Sequence, residues 1–355
     1  MSTALDHRRL STPVILCLGL LVIAAAVAMF GSDGLQRTAT EMLIRVVTVA
    51  GLYIFIGHSG VMSFGHIAFM GVGAYGVAWT SMDPGIKQYV LTGLPGFLKH
   101  AALPWLPASL VSALLAALVA LAVGGVILRL VGIAASIATF SLLAIFNVVY
   151  SNWDSVTAGT SSIVGIPTPV GLWEALGFAC AAIAIAHAHA VSRHGLALRA
   201  VREEPVAARS CGIDAYRALL VAFVISAFVC GLSGALDAQY LGVVNPDAYY
   251  LGRTFICLAM LVIGGASSLS GAVTGTVVIS MLIELLVRLE KGFTIGSFML
   301  QAPNGTQEIV VGLAMIITLI LRPRGLAGRH EFGWRRFATG AQRPVAVSLV
   351  SPRSA

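Results

Sequence analysis

From Val14 onward the chain is a succession of apolar runs, and the breaks between them are too short to bury a core of their own. The runs are Val14–Phe30, Met42–Ile56, Ile67–Thr80, Ser109–Leu128, Gly132–Tyr150, Leu172–Ala190, Ala218–Leu236, Thr254–Gly264, Gly271–Val287 and Ile309–Leu321. Several fall short of the ~17–25 residues that cross hydrocarbon, which fits tilted or interrupted helices packed in a bundle. Only 10% of the residues are charged, against roughly 25% in soluble proteins, too few to cover a water-facing surface. The fold class is therefore all-α, a polytopic transmembrane bundle of about ten spans. Three regions are expected: 1–41, a tail and first transmembrane helix; 42–326, the core; and 327–355, a tail. Arg8 and Arg9 before Val14 resemble a signal peptide, but the run is long for one, and Gly31-Ser32-Asp33 is not a small-x-small cleavage site. It reads as a retained helix.

Residues 57–75 interrupt the pattern with glycines, His58, His66, Ser59 and Ser63. Backbone that leaves the helical ladder at membrane depth must face protein or a hydrated cavity. A second break, Gly264-Gly265-Ala266-Ser267-Ser268-Leu269-Ser270-Gly271, lies in the other half, and paired breaks of this kind point to a solute path. The candidate path residues are Ser63, Gly65, His66, Gly71 and Gly73, with Gly264, Gly265, Ser267 and Ser268. The competing reading is close helix packing through small residues. If the path reading holds, the two groups meet near the centre of the bundle.

Charge sets the expected orientation. Of 22 Lys and Arg residues, fifteen fall on one side if the spans alternate: Arg8, Arg9, Arg129, five between 193 and 217, and seven from Arg322 onward. The positive-inside bias then puts both termini in the cytoplasm. Arg37, Arg45, Lys87, Lys99, Arg253, Arg288 and Lys291 are assigned outside. The net charge of +7 thus belongs to membrane flanks, and no nucleic-acid partner is expected. The five cysteines have no CxxC spacing and read as small buried hydrophobes. Two outer segments look structured: 81–108, with four prolines and Trp105, and 288–308, an interfacial stretch.

The longest inner loop, 191–217, reads as two short helices. The first runs from about Leu196 to Glu203, Pro205 opens the second at its first position, and Gly212 follows its end. Ala200, Ala207 and Ala208 give a small flat surface framed by Arg199, Arg202, Glu203, Glu204 and Arg209. It suits docking to a partner protein, although an amphipathic surface helix with snorkelling arginines has the same pattern.

Gly195-Leu-Ala-Leu-Arg-Ala-Val-Arg-Glu-Glu-Pro-Val-Ala-Ala-Arg-Ser-Cys-Gly-Ile213 resembles the coupling loop of branched-chain amino acid ABC transporter permeases of the LivM type. Ser63-Phe-Gly-His-Ile-Ala-Phe-Met-Gly-Val-Gly-Ala-Tyr75 is similar to that family's first signature, Gly264–Gly271 to its Gly-Gly…Ser-Leu-x-Gly-Pro element, and Leu321-Arg-Pro-Arg-Gly-Leu326 to its terminal motif. Val61 and Ala272 depart from the family's frequent Gln and Pro, which bears on the solute more than the fold. The resemblance implies a permease of the bacterial inner membrane. Its partners would be two ABC ATPase subunits, a second homologous permease and a periplasmic substrate-binding protein, in contact with membrane lipid. It also implies ATP and Mg bound by the partners, with no cofactor or metal in this chain. In agreement, Lys87, Lys99 and Lys291 are followed by Gln, His and Gly, so the chain has no Gly-xxxx-Gly-Lys-Ser/Thr phosphate loop.

Other polar residues have two readings. His66 is a path residue or a packed hydrogen-bonded histidine. Glu284 in the ninth run is functional by position or paired with Arg288 at i+4. Asn147 is placed to hydrogen-bond between helices. No nucleophile triad, carboxylate pair or metal-ligand set suggests an enzyme. The alternative from another class, a stand-alone secondary transporter or channel, would rest on Glu284 as its mid-membrane ionisable group.

Overall fold

Every apolar run folds as a helix, because hydrocarbon leaves backbone groups no other partner. The computed structural model describes residues 3–130, 132–290, 293–295, 298–300, 303, 305–322 and 325–326. The tail 327–355 and its arginines lie outside the described residues. The long helices are α1 (Thr3–Phe30), α2 (Asp33–Leu52), α3 (His66–Ser81), α6 (Trp105–Ile127), α7 (Ile133–Asn152), α9 (Leu172–Val191), α12 (Ala215–Leu241), α13 (Leu251–Gly264), α14 (Leu269–Glu290) and α15 (Thr306–Leu321). Eight of the described helical segments are long and apolar enough to cross a membrane. The chain is a multi-pass helical membrane protein. The remaining two of the ten, α3 and α15, are each 16 residues long.

Short elements fill the connections: α4 (Pro84–Val90), α5 (Gly96–Lys99), α8 (Asp154–Thr157), α10 (Arg193–Glu203) and α11 (Pro205–Ser210). Strand β1 (Ile163–Val164) pairs antiparallel with β2 (Val243–Val244), tying two connections together. The 288–308 segment forms a hairpin of β3 (Phe293–Ile295) and β4 (Phe298–Leu300).

The core is built from α2, α3, α6 and α12. In α3 every residue but Trp79 is buried, so it shows no polar face, as a helix enclosed on all sides should not. Small residues let these backbones approach. A Cβ on Gly73 would sit 1.9 Å from the carbonyl oxygen of Gly231, and one on Gly234 1.8 Å from that of Met70. Hydroxyls stitch α2 to α12: Thr48 and Ser233 are hydrogen-bonded at 2.6 Å, and Ser226 Oγ donates to Gly51 O at 2.6 Å. After Leu52, α2 widens into one π-helical turn, Tyr53–Gly57, a distortion that often accompanies function.

The excursion 82–104 is held by Lys87. Its side chain is fully buried, and Nζ donates to Trp79 O (2.7 Å), Ala101 O (2.5 Å) and Leu98 O (3.3 Å). The ammonium therefore caps Trp79 O at the end of α3 and ties it to the Leu98 and Ala101 carbonyls of the excursion. Burial pulls its pKa below the usual lysine value, with the nearby Asp83 carboxylate opposing. Lys87→Met is expected to destabilise the protein by about 2–3 kcal/mol, the cost of stranding buried acceptors. A melting temperature unchanged from the parent in the purified variant would show that those carbonyls find other donors.

Candidate functional site

Two regions, one at the π-turn end of α2 and one along its middle turns, carry the polar chemistry of the bundle. The first is where the breaks and the 191–217 loop converge. The loop folds as the sequence suggests: Ser192 Oγ accepts from Gly195 N to cap α10, Pro205 takes the first position of α11, and Gly212 follows at φ +78°. Two of the three arginines expected to face a partner, Arg199 and Arg202, stay exposed but also bond inward. Arg202 Nη1 donates to Gly57 O at 2.8 Å, at the last residue of the π turn. Arg199 Nη2 donates to Ala190 O at 3.0 Å and lies 3.1 Å from His58 Nε2. The His58 ring stands edge-on to His189, with centroids 5.3 Å apart. Thus α10 is fastened to the end of α2 and the end of α9.

Of the remaining loop residues, Ala208 is buried and Ala200 half-buried, so neither adds to a flat exposed face. Glu203, Glu204, Ala207, Arg209 and Gly212 are exposed, together with the apolar Leu196 and Val206. The outward surface is therefore an apolar patch edged by charge rather than an alanine platform.

The candidate path residues separate into two packing sites. Gly65, Gly71 and Gly73 lie against Thr139, Phe146 and Gly231, on α7 and α12. His66 is fully buried, with Nδ1 2.8 Å from Ser63 Oγ and its ring packed on Phe55, Phe69 and Phe223. Gly264 packs on Gly271 and Gly275, locking α13 to α14, and Ser268 Oγ accepts from Gly271 N. Ser267, by contrast, is half-buried. Gly265 lies beside Gly325, whose φ is +71°, and Leu326 N donates to Ile263 O at 2.8 Å, so the terminal motif closes over the second break. The breaks do touch, but at Gly57 and Ala266: a Cβ on Gly57 would lie 2.7 Å from Ala266 O. The glycines of α3 serve helix packing, and the meeting point is shifted toward α10.

The second region is a cavity of about 380 Å³ among α2, α3, α12 and α13, at the other end of the bundle. Its lining includes Met70 of α3 and, on α2, Ile44 and Thr48, roughly 14–20 Å along the helix from Gly57 at about 1.5 Å per residue. Two ion pairs line it. Arg253 Nη1 meets Asp237 Oδ2 at 2.6 Å, and Arg45 Nη2 meets Glu41 Oε2 at 3.1 Å. Tyr249 OH also donates to Asp237 Oδ2, at 2.8 Å, and Arg253 lies over the Tyr249 ring. Asp247, on the rim, accepts from Asn147 Nδ2 at 3.0 Å. Ile256 and Cys257 supply apolar wall. Paired opposite charges beside apolar surface can receive a small zwitterion with an aliphatic side chain, each charge of the solute facing its opposite.

Sequence reading missed this site. Arg45 and Arg253, counted as outer flank, lie within α2 and α13. Asp237 lies in the last turns of α12. Its signal was a carboxylate inside an apolar span, with an arginine on the next helix. Glu284 proves to be paired: Arg288 Nε binds Glu284 Oε1 at 2.7 Å, and Thr38 donates to Oε2 at 2.8 Å.

Residues 34–319 match the family model described as branched-chain amino acid transport system, permease component. The high-affinity branched-chain amino acid transport system permease protein LivM of Salmonella typhimurium is 25% identical over 343 residues, covering 87% of this chain and 73% of its own length. LivM of Escherichia coli is also 25% identical, covering 86% of this chain and 73% of its own. The permease LivH of Escherichia coli is 28% identical over 140 residues, 39% of this chain and 41% of LivH. No solved structure matches.

Proposed function

Because the chain belongs to the family of branched-chain amino acid transport permeases, we propose that it is the LivM-type membrane subunit of an ABC importer for branched-chain or closely related small amino acids. In this reading it sits in a bacterial inner membrane with both termini cytoplasmic. A second permease subunit, two ATPase subunits and a periplasmic binding protein complete the assembly, and the partners bind ATP and Mg.

The supporting observation is the connection running through α2. At one end α10 is bonded to Gly57 by Arg202, and along the middle turns Glu41, Ile44, Arg45 and Thr48 line the charged cavity. A binding protein docked outside delivers the amino acid to that cavity. Closure of the ATPases displaces the patch formed by Leu196, Val206 and Ala207. The displacement reaches the π turn through Arg202, and that turn is where α2 shifts against α12. No bond to the solute is made or broken by this chain.

The test is uptake into proteoliposomes. Radiolabelled leucine should accumulate only when the ATPases, the second permease and the binding protein are present with ATP. Uptake by this chain alone on an ion gradient would instead support a secondary transporter. Val206→Asp, on the exposed patch, is expected to weaken ATPase association at least tenfold, as loss of an interface anchor does, while leaving the melting temperature unchanged. Full association of that variant would remove the 191–217 loop from the coupling role.

A further inference from the structure

A cavity of about 610 Å³ lies beside α10 between the π turn, the α6–α7 connection and the start of α12. Three guanidinium groups line it, Arg129, Arg202 and Arg209, and no carboxylate does. Arg202 spends one N–H on Gly57 O. Among the described residues none of the three forms a salt bridge. The rest of the lining is largely apolar, with Leu128, Leu130 and Leu219 prominent. The apolar surface does not stop at the wall: Leu130, which lines the cavity, is exposed, and so are Val126 and Ile133 on the adjoining ends of α6 and α7.

We propose that this cavity is a binding site for one anionic phospholipid, its phosphate held by Arg129 and Arg209 with Arg202 behind, and an acyl chain laid over Leu130 toward the flank of α6 and α7. The charge pattern separates this ligand from the transported solute. A zwitterionic amino acid would bring its ammonium among three cations with no carboxylate to receive it. A free phosphate or nucleotide would satisfy the guanidiniums but leave the apolar lining and rim without a partner. Basic pockets between helices at a membrane face are known to take acidic headgroups. Arg202 touches both this cavity and Gly57, so an occupied site would also brace the α10–π-turn contact.

The experiment uses the assembled complex in detergent, offered phosphatidylglycerol or phosphatidylcholine of identical acyl chains, with bound lipid counted by native mass spectrometry. The parent is expected to retain phosphatidylglycerol preferentially. Arg129→Gln with Arg209→Gln should reduce that preference about thirty-fold at low salt, the effect expected of two cations facing an acidic headgroup. Arg129→Lys with Arg209→Lys should keep most of it, which guards against a loss due to misfolding. Millimolar inorganic phosphate should not displace the lipid. Equal retention of the two lipids by the parent would overturn the proposal. So would undiminished preference in the Gln variant, or complete displacement by phosphate, which would mark a free-anion site. Measured also on the complex stripped of its ATPases, lipid retained there but lost when the ATPases are added back would overturn it too, by showing that the arginines serve the protein interface.

Discussion

Gly73→Leu is expected to abolish the folded protein, not merely its transport. A Cβ at Gly73 would fall 1.9 Å from Gly231 O, and the neighbouring contact, from Gly234 to Met70 O, is as close at 1.8 Å. Both obstacles are backbone, so no side-chain rotation relieves them, and α3 and α12 would have to separate by more than about 1 Å to restore normal contact distances. Overpacking against movable side chains already costs about 1–3 kcal/mol. Here the displaced pair is the centre of the core and carries the Thr48–Ser233 bond beside it. In detergent extracts the variant should lose its monodisperse peak by fluorescence-detected size exclusion. Gly177→Leu is the control: that glycine is exposed on α9 and a Cβ there meets nothing within 4 Å. If the two variants extract and melt alike, close approach of α3 and α12 does not hold this fold together.

That expectation revises what the glycines say when read as sequence. The apolar runs located the helices because hydrophobic length and backbone satisfaction leave few alternatives, and the ten runs are ten helices. The 191–217 loop was equally legible, since Pro205 and Gly212 act through their own backbone geometry. Gly71 and Gly73 were not decidable: a residue without a side chain is equally suited to a hydrated path and to a close helix contact, and only the neighbour, Phe146 or Gly231, distinguishes them. The cavity charges were hidden for a different reason. Asp237 and Arg253 belong to different helices, and each taken alone looks like the frayed end of a span. Their pairing follows from how α12 and α13 are brought back together through residues 242–250, a tertiary fact with no local signature. Arg202 was legible as a loop arginine but not in direction, because both the partner-facing and inward-facing settings suit an exposed guanidinium.

Arg253→Met is expected to lower stability by about 3–5 kcal/mol, because removing one member of a buried ion pair leaves the other charge uncompensated. Asp237 is almost fully enclosed, and Arg253 is its guanidinium partner at 2.6 Å. Transport should be lost in the same variant, but that alone would not distinguish a structural brace from a solute contact. The double variant Asp237→Asn with Arg253→Met separates them. It removes both charges of the pair, and the Asn carbonyl still accepts the Tyr249 hydroxyl that now reaches Asp237 at 2.8 Å. Replacing both members of a buried pair is often neutral for stability, so the melting temperature should return to near the parent value. If the pair serves only the fold, leucine uptake by the complete assembly should return with it. If the cavity receives the amino acid by its charges, uptake should stay about a hundredfold down despite restored stability, since two charge contacts of this kind contribute on the order of 3 kcal/mol. Glu41 and Arg45, the second pair on the same wall, supply an independent check. Glu41→Gln disturbs a more exposed pair worth about 0–1 kcal/mol to the fold, so stability should hardly change while uptake falls. Parent-level uptake in both the double variant and Glu41→Gln would remove this cavity from the transport route.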